Sequence, residues 1–562
     1  MAGTGEEGTI RKPRGSSLPV ALVYPNAYRL GMANLGFQFL YGYLNQHPLL
    51  SAERFFFPDY GSGEKWQRGA PRSEESNRPL TDFPVIAFSI AFENDYPAIP
   101  GALVAAGIPP LQKDRRASHP LVMAGGVAVS LNPEPLAPFL DLVFIGEVTA
   151  EPRGELDELW SLLVEALRMP RVNLDDRTAF VARFSEAQSV YVPSAYHFEF
   201  GERGLITAVH PRPGFPSRVR AGKRRSRTAP VPVSVLFSPT AEFGRSLLVE
   251  TNRGCGRGCR FCAAGWIHMP VRHALFNRFR KDVEDAIRQG RQIGLIGSDL
   301  AGHPELESIL ETIVDQGGTF SLSSIRPEGL SPRVIELLAR TGQKTATLAP
   351  EVASPRAKKV IGKEIPSEAF YELVEKLVAA GIPNIRFYFM IGIPTETDED
   401  VDQLVDFVLE SKKIFVEASR PLGRIGRLGV QINPFIPKPW TPFQWAGMAP
   451  RTILEERIRM IRGRLAREPN VVLRVESPRL AAFQAVLSRG DRRLGPAILR
   501  IAQQQGRWAG VFKREKIDPS FYALRERGSE EILPWDVIDH GISKQHLRNV
   551  YERALASGNE GP

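Results

Sequence analysis

The chain has 562 residues, 43% of them hydrophobic, and a formal net charge of +9. This length and composition exclude a disordered or fibrous chain and predict about three or four folded domains. The N-terminus lacks the apolar segment of a secretory signal, and there is no run of about 18 uncharged apolar residues, so we expect a cytoplasmic protein without a membrane partner.

Strand patterns and shifts in composition divide the chain into five predicted segments. They are a flexible N-terminus (1–17), an α/β domain (18–175), a connecting segment (176–240), a second α/β domain (241–445) and a mainly helical C-terminal domain (446–562). Within the connecting segment, residues 210–227 are rich in proline, glycine and arginine. Their cations could contact RNA phosphates, but a solvated linker is the more common role for a lone basic run.

The first α/β domain has short apolar runs at 18–24, 85–89, 121–124 and 142–145, separated by helix-like segments. This alternation predicts a parallel sheet of the Rossmann type. Glycines after its strands would let a flat, bulky ligand lie on the backbone, where open sheets bind cofactors. The candidate binding residues at these strand ends are Ser89, Gly125, Gly126, Gly146 and Glu147.

All three cysteines of the chain, Cys255, Cys259 and Cys262, lie in one stretch with the spacing C-x3-C-x2-C, and Phe261 precedes the last. Three thiolates on a tight loop can bind three irons of a [4Fe-4S] cluster and leave the fourth iron open for a ligand. The spacing therefore predicts a catalytic cluster with these cysteines as metal ligands.

Two alternatives to a cluster remain. A zinc site could take His268 or His273 as its fourth ligand, although Cys3His zinc sites usually consist of two separated pairs. Disulfides are disfavoured because the number of cysteines is odd and the loop is tight for bridging geometry.

Beyond the cysteines, six strand-like runs alternate with helical segments at 246–250, 293–297, 320–325, 345–349, 386–392 and 429–433. Six such units with right-handed crossovers predict an open or partial parallel barrel, whose chemistry collects at the carboxyl ends of its strands. Strand ends are also polar simply because they meet solvent. The polar or glycine residues at these ends include Ser298, Asp299, Arg326, Glu328, Glu351, Gly392, Thr395 and Asn433.

The cysteine motif closely resembles that of the radical SAM superfamily. The strand-end residues of the first domain and the segment N-P-F-I-P-K-P-W-T-P-F-Q-W at 433–445 extend the resemblance to B12-binding radical SAM proteins with an N-terminal cobalamin-binding-like domain. The resemblance implies a (β/α)6 partial TIM barrel. It also implies cleavage of S-adenosylmethionine (SAM) at a [4Fe-4S] cluster, hydrogen abstraction by a 5′-deoxyadenosyl radical, and methylation of an unactivated carbon by methylcobalamin.

The same resemblance assigns candidate SAM contacts. Segment 387–397, which contains Gly392, would lie near the adenine, and segment 349–354, with Glu351, near the polar end of SAM. Ser298 and Asp299 stand where many members carry Gly-Gly-Glu for the SAM amino group. Lys363 could reach a carboxylate or face solvent. Phe261 and Arg326 complete the set of predicted cofactor-binding residues.

The sequence departs from many B12 proteins in one respect. In those proteins the histidine of an Asp-x-His-x-x-Gly motif binds the cobalt, and none of the nine histidines here lies in such a motif. Cobalamin would then bind without a protein histidine, or the first domain scaffolds the active site without a cofactor. A cobalamin-independent RNA-modifying enzyme and a non-catalytic iron-sulfur or zinc RNA-binding scaffold are the alternatives. The expected partners are an unknown substrate and an electron donor such as flavodoxin or ferredoxin, with RNA possible but not required.

Overall fold

A computed structural model of the chain describes residues 5–13, 15, 17–57, 71–149, 151, 154–168, 177–223, 230–322 and 325–559. Residues 224–227 of the predicted basic linker, and parts of the predicted flexible N-terminus, lie outside this set. The fold divides into two compact units, and neither is continuous in sequence. The N-terminal unit comprises Met1–Arg245, Val486–Tyr522 and Glu530–Gly541, and the barrel unit comprises Ser246–Ala485, Ala523–Ser529 and Ile542–Pro562. The five predicted domain boundaries stay predictions.

The N-terminal unit contains a six-stranded sheet in the order β2-β1-β3-β4-β5-β6. Its first five strands are parallel, and β6 pairs antiparallel with β5. The predicted parallel sheet is therefore confirmed, while β2 and β6 are additions to the four predicted strands. The six strands are Leu18–Tyr24, Leu50–Phe56, Val85–Ser89, Leu121–Gly125, Leu142–Phe144 and Val190–Tyr191.

Three further strands follow in this unit, namely β7 (Tyr196–Phe200), β8 (Ile206–Pro211) and β9 (Val219–Arg220). The first two form an antiparallel hairpin. Helices join the sheet strands, because apolar faces of helices and sheets must be buried together. The α-helices of the unit before residue 246 are Tyr28–Gly31, Leu35–Gln46, Ala98–Ala105, Val127–Leu131, Glu155–Arg168 and Arg177–Ala182.

The later segments of the N-terminal unit bind its sheet region through polar contacts. Arg492 pairs with the fully buried Glu134 at 2.7 Å, and the same guanidinium is 3.2 Å from the hydroxyl of Tyr191. The Nδ2 atom of Asn132 donates to the carbonyl of Gly490 at 2.8 Å. A buried carboxylate needs a paired cation, so these late residues are part of the unit's stability.

The barrel unit contains eight strands, β10 to β17, in two sheets ordered β11-β10-β12-β13 and β14-β15-β16-β17. Between the two sheets, Ile325 forms an isolated parallel bridge with Leu348 of β14. Only the short β11 is antiparallel among the described strand pairings of the two sheets. The strands are Leu247–Arg253, Arg272–His273, Ile293–Gly297, Phe320–Leu322, Thr345–Glu351, Asn384–Ile391, Leu428–Pro434 and Val471–Val475.

The six predicted barrel strands are all present, and β17 is a seventh parallel strand inside the segment that was predicted to be mainly helical. β17 pairs with β16 from Leu428↔Val471 to Ile432↔Val475. Of the predicted strand 320–325, the structure describes Phe320–Leu322 as a strand and Ile325 in a bridge, while residues 323–324 lie outside the described set. The last described strand, β18 (Ile538–Asp539), pairs with β9 in the N-terminal unit.

Crossover helices connect the barrel strands, and local sequence defines where several begin. Ser331 and Ser354 each accept a backbone N–H from three residues ahead, and proline occupies the following position, where its missing N–H costs nothing. Thr397 and Asp400 form a capping box at the start of the longest described helix, Asp398–Ser419. The helices from residue 264 onward are Ala264–Ile267, Arg280–Arg288, Leu306–Asp315, Pro332–Arg340, Pro355–Ile361, Ser367–Ala379, Asp398–Ser419, Arg451–Leu465, Pro478–Arg489, Gly495–Gln503, Val511–Arg514 and Lys544–Asn559. Among the described helices none combines the length and apolar character that crossing a bilayer requires.

Candidate active site

The cysteine loop begins directly after β10 and is held by backbone contacts. Gly254 has a φ of +83°, and a Cβ there would lie 2.5 Å from the carbonyl oxygen of His268, so only glycine fits. The backbone N–H of Arg260 donates to the carbonyl of Ile361 at 2.9 Å. The indole Nε1 of Trp266 donates to the carbonyl of Cys259 at 3.0 Å. The loop is therefore anchored on both sides of the central cysteine.

The three thiols lie near one another at this loop. Cys255 and Cys259 are 8% and 6% exposed, and Cys262 is partly buried. Burial raises the pKa of each thiol, and the charge of a neighbouring cysteine raises it further in every case. All three thiols lie on one loop, where each acts on the charge of another. That they bind a cluster together stays a prediction.

Each thiol also faces an N–H donor, and each donor opposes the rise in pKa that burial causes. Donors to a sulfur stabilise its thiolate, which is the form that binds metal. The pairs are the backbone N–H of Arg257 with Cys255, the side chain of Arg326 with Cys259 across 3.6 Å, and the backbone N–H groups of Ala264 and Gly265 with Cys262.

Asp299 lies at the carboxyl end of β12, beside the cysteine loop. Its Oδ2 atom is 3.3 Å from Nε of Arg257, and its charge raises the pKa of the Cys255 thiol, after burial as the larger cause. Its Oδ1 atom is buried and has no hydrogen-bond partner among the described residues. A buried carboxylate oxygen without a donor is costly, so it suits a bound cationic group.

Asn252, which sequence reasoning missed, holds this arrangement together. Its Oδ1 atom accepts the backbone N–H of Asp299 at 3.4 Å, and its Nδ2 atom donates to the carbonyl of Gly254 at 3.2 Å. A Cβ on Gly297 would lie 1.8 Å from that Oδ1 atom. The sequence offered a weak signal, an amide side chain two positions before Gly254, whereas its burial to 2% exposure is visible only in the structure.

Glu351 and Lys363 form an ion pair on another side of the thiols. The Nζ atom of Lys363 is 3.1 Å from Oε1 of Glu351 and 2.5 Å from the carbonyl of Ala349. The Lys363 charge opposes the burial-driven rise in the pKa of Cys259, and the Glu351 charge adds to that of Cys262. The charges of Asp299, Arg326, Glu351 and Lys363 therefore all act on the thiols. The first three were selected by their positions at strand ends and Lys363 was suggested by the family resemblance, and their roles in binding SAM stay predictions.

The conformation of the local turn accounts for the glycine at position 392, which was predicted to contact the adenine. Its φ is +81°, and a Cβ would lie 2.7 Å from Cδ2 of Leu454. Its N–H donates to Oε2 of Glu396 at 2.6 Å. Phe261, which precedes Cys262, is partly buried, and Ser298, which precedes Asp299, is exposed. The roles of these three residues in binding SAM stay predictions.

In the N-terminal unit, the predicted binding residues fall into two groups. Ser89 and Gly125 are paired in register at the carboxyl ends of β3 and β4, and both are partly exposed. Gly126 and Gly146 instead have positive φ, and a Cβ on either would lie 2.3 Å from a backbone oxygen, that of Ile90 or Gly222. Internal backbone packing thus accounts for these two glycines.

Glu147 follows Gly146 and is 5% exposed. Its backbone N–H donates to the carbonyl of Gly222 at 2.9 Å. This contact fixes the backbone after β5, and a role of Glu147 in cofactor binding stays a prediction.

The alternative zinc ligands lie close in sequence to the thiols. The His268 carbonyl accepts Nη2 of Arg272 at 3.0 Å, and the ring of His273 packs edge-on against His303 at 5.1 Å. Across the residues that the structure describes, no three His, Cys, Asp or Glu side chains converge around a point where one metal ion would bind.

Comparisons with known proteins agree with the geometry. Residues 36–193 match the family described as radical SAM proteins, N-terminal, and residues 249–408 match the radical SAM superfamily. An uncharacterized protein of Methanocaldococcus jannaschii is 24% identical over 482 residues, which are 84% of this chain and 89% of that protein. The ribosomal protein uS12 methylthiotransferase RimO of Thermodesulfovibrio yellowstonii is 26% identical, but the match spans 32% of this chain and 45% of RimO.

Among solved structures, the radical SAM methyltransferase TsrM of Kitasatospora setae, with cobalamin and a [4Fe-4S] cluster bound, has a similar fold. Its TM-score is 0.50 at 13% identity, and the match covers 87% of this chain and 99% of TsrM. Both family matches are to radical SAM proteins, a class of enzymes that work at a cysteine-bound iron-sulfur cluster. The chain is a radical SAM enzyme, with a radical SAM N-terminal domain before its catalytic core.

Proposed function

We propose that the protein is a cobalamin-dependent radical SAM methyltransferase that acts on an unactivated carbon of its substrate. The observation that carries the proposal is the set of three neighbouring thiols after β10, each with its own N–H donor. Three thiolates leave one iron of a [4Fe-4S] cluster open. When bound there, such a cluster supplies the electron that splits the sulfonium bond of SAM.

The chain's own residues supply binding and orientation. Cys255, Cys259 and Cys262 would hold the cluster, and the N–H donors would stabilise charge on the sulfurs. The unpartnered Oδ1 atom of Asp299 is a suitable acceptor for the ammonium group of SAM. Lys363 holds Glu351 in place through a buried ion pair, and this fixes one wall of the site.

Cobalamin is proposed from the likeness of the fold to TsrM, which covers 87% of this chain. The chain offers Ser89 and Gly125 for it, because their strand ends are adjacent and partly exposed. The carboxyl edge of a parallel sheet is where such folds bind cofactors. The proposed reductant is a flavodoxin or ferredoxin, and the proposed location is the cytoplasm, where thiols stay reduced.

Anoxic purification from cells supplied with hydroxocobalamin tests both parts of the proposal. We expect iron and cobalt in the wild-type protein, and 5′-deoxyadenosine after reduction with SAM. C259A should lose iron and SAM cleavage together, because two cysteines cannot complete the ligand set. R467Q, which changes an exposed arginine, is the matched control and should keep both. Cleavage by C259A would overturn the cluster assignment, and iron without cobalt would overturn the cobalamin assignment.

A further inference from the structure

One face of the sheet β14-β15-β16-β17 carries a polar and basic surface that the proposed function does not use. Phe387 and Phe389 of β15 pack against Phe407 of the helix Asp398–Ser419, with ring centroids 5.4 and 5.7 Å apart. Side chains alternate between the faces of a strand. Arg386 and Tyr388 therefore project from the opposite face of the sheet.

The neighbouring strands continue this second face. In the β15–β16–β17 register, Tyr388 lies beside Gln431, and Gln431 lies beside Arg474. Arg386 lies beside Gly429, and a Cβ on that glycine would be 3.5 Å from Cγ of Arg386. The glycine leaves room for the arginine stem to cross the neighbouring strand.

A cavity of ≈ 400 Å³ opens on this face, wholly within the barrel unit. A cavity of this size accommodates a small molecule and is too small for a folded nucleic acid. Its polar lining comprises Thr345, Asn384, Arg386, Tyr388, Arg427, Gln431 and Arg474.

The charges of the cavity are one-sided. Arg386, Arg427 and Arg474 line it, and no aspartate or glutamate does. In the described part of the chain, none of these three guanidinium groups has a carboxylate within ion-pair distance, whereas Arg457 of the same unit pairs with Glu396 at 2.5 Å. Like charges around one cavity repel each other, and a bound anion relieves the repulsion.

We propose that this cavity binds the phosphate group of a small phosphorylated molecule. Guanidinium groups bind phosphate through paired N–H donors, and several of them together suit a dianion better than a single carboxylate. Tyr388 and Gln431 add a hydroxyl and an amide for further hydrogen bonds.

The position of the cavity connects it with the active site. Phe389 pairs in register with Glu351, which forms the ion pair near the thiols. Arg386 precedes Phe389 by three residues, which corresponds to about 10 Å along the strand. If the proposed function holds, the bound molecule is the substrate. Its phosphate would then lie about 10 Å from Glu351, measured along the direction of the strands.

Equilibrium dialysis with radiolabelled pyrophosphate, at ionic strength held constant with KCl, tests the proposal. The full chain is used without SAM or reductant, so that the result does not depend on catalysis. We expect saturable binding of one pyrophosphate per chain, weakened about tenfold or more in R386Q and in R474Q. R467Q alters an exposed arginine outside the cavity and should bind like the wild type. Circular dichroism confirms that each variant is folded.

Equal binding by R386Q, R474Q and the wild type would overturn the proposal, as would uptake that does not saturate. Malonate should compete poorly, and competition equal to that of pyrophosphate would make the ligand a carboxylate. Single-stranded RNA is also added, with its phosphate groups at a lower concentration than the pyrophosphate. Displacement of the pyrophosphate by this RNA would overturn the proposal and assign the surface to nucleic acid instead. Iron content and 5′-deoxyadenosine formation, measured on the same samples, report separately on the proposed function.

Discussion

The guanidinium of Arg326 donates to the Sγ atom of Cys259 across 3.6 Å. This contact joins the segment after β13 to the cysteine loop after β10, so two different strand ends act on one sulfur. The burial of Cys259 raises the pKa of its thiol, and the charges of Lys363 and Arg326 oppose that rise. A cationic donor at a ligating sulfur is a means of setting the redox properties of a metal centre.

Replacing Arg326 should therefore change the reduction potential without removing the cluster. In R326Q we expect a more negative midpoint potential, because loss of a positive donor destabilises the reduced, more negative cluster. A redox titration followed by electron paramagnetic resonance measures the shift, and iron content serves as the control. R326K, which keeps the charge, should shift the potential less than R326Q. An unchanged potential in R326Q would show that the contact has no electronic role.

Gly297 should tolerate no side chain, because its Cβ would lie 1.8 Å from Oδ1 of the buried Asn252. We expect G297A to lower the free energy of unfolding by about 2–4 kcal/mol, as for other overpacked interiors. Urea denaturation measures the change. G463A is the matched control, since Gly463 lies in the helix Arg451–Leu465 with no atom within 4 Å of its Cβ position. Alanine there should stabilise by up to about 1 kcal/mol.

Glu396 should make stability depend on pH. Burial raises its pKa to about 7, although Arg457 and the N–H of Gly392 oppose the rise. A carboxyl with a raised pKa in the folded state binds more protons folded than unfolded, so its contribution is present below about 4.5 and is lost as the pH rises to about 7. Between pH 5 and about 7.5 the wild type should lose stability relative to E396Q. Parallel urea midpoints for the two proteins across this window would contradict the assignment.

Two adjacent glycines in the N-terminal unit should respond differently to alanine. Gly126 has a φ of +110°, and its Cβ would lie 2.3 Å from the carbonyl oxygen of Ile90, whereas the nearest atom to a Cβ on Gly125 is 3.8 Å away. We expect G126A to lower the thermal unfolding midpoint by several degrees and G125A to leave it nearly unchanged. Similar midpoints for both variants would contradict the packing role of Gly126.

Much of the fold could be predicted from alternation of apolar strands and amphipathic helices. The six barrel strands and four of the N-terminal strands occur where this pattern placed them. β17 was missed because its short run follows a 15-residue helix in a segment that was predicted to be helical as a whole, although the valines of V-V-L-R-V favour a strand. Its pairing with β16 shows the strand directly. The ion pair between Arg492 and Glu134 joins residues 358 positions apart, and no local sequence pattern indicates such a contact.

Two parts of the candidate site could be predicted from the sequence: the residues with a characteristic spacing and the polar residues that follow strands. The cysteine spacing selected the thiols, and the rule for strand ends selected Asp299, Arg326 and Glu351. Asn252 was missed because its role depends on a contact with Asp299, 47 positions away at the end of the neighbouring strand, in addition to the local contact with Gly254. Gly126 and Gly146 were taken as openings for a ligand, while the structure fills the space above both with backbone. Sequence shows that a position is glycine but does not show which atoms approach it.

The pairing of Arg492 with Glu134 has a consequence for synthesis on the ribosome. The first 245 residues of the N-terminal unit emerge long before residues 530–541 that complete it. At usual elongation rates of about 5–20 residues per second, the interval lasts roughly 15 to 60 s. Within that interval Glu134 lacks its counter-ion until Arg492 emerges, so the N-terminal unit is expected to complete its folding only after most of the barrel unit has been synthesised.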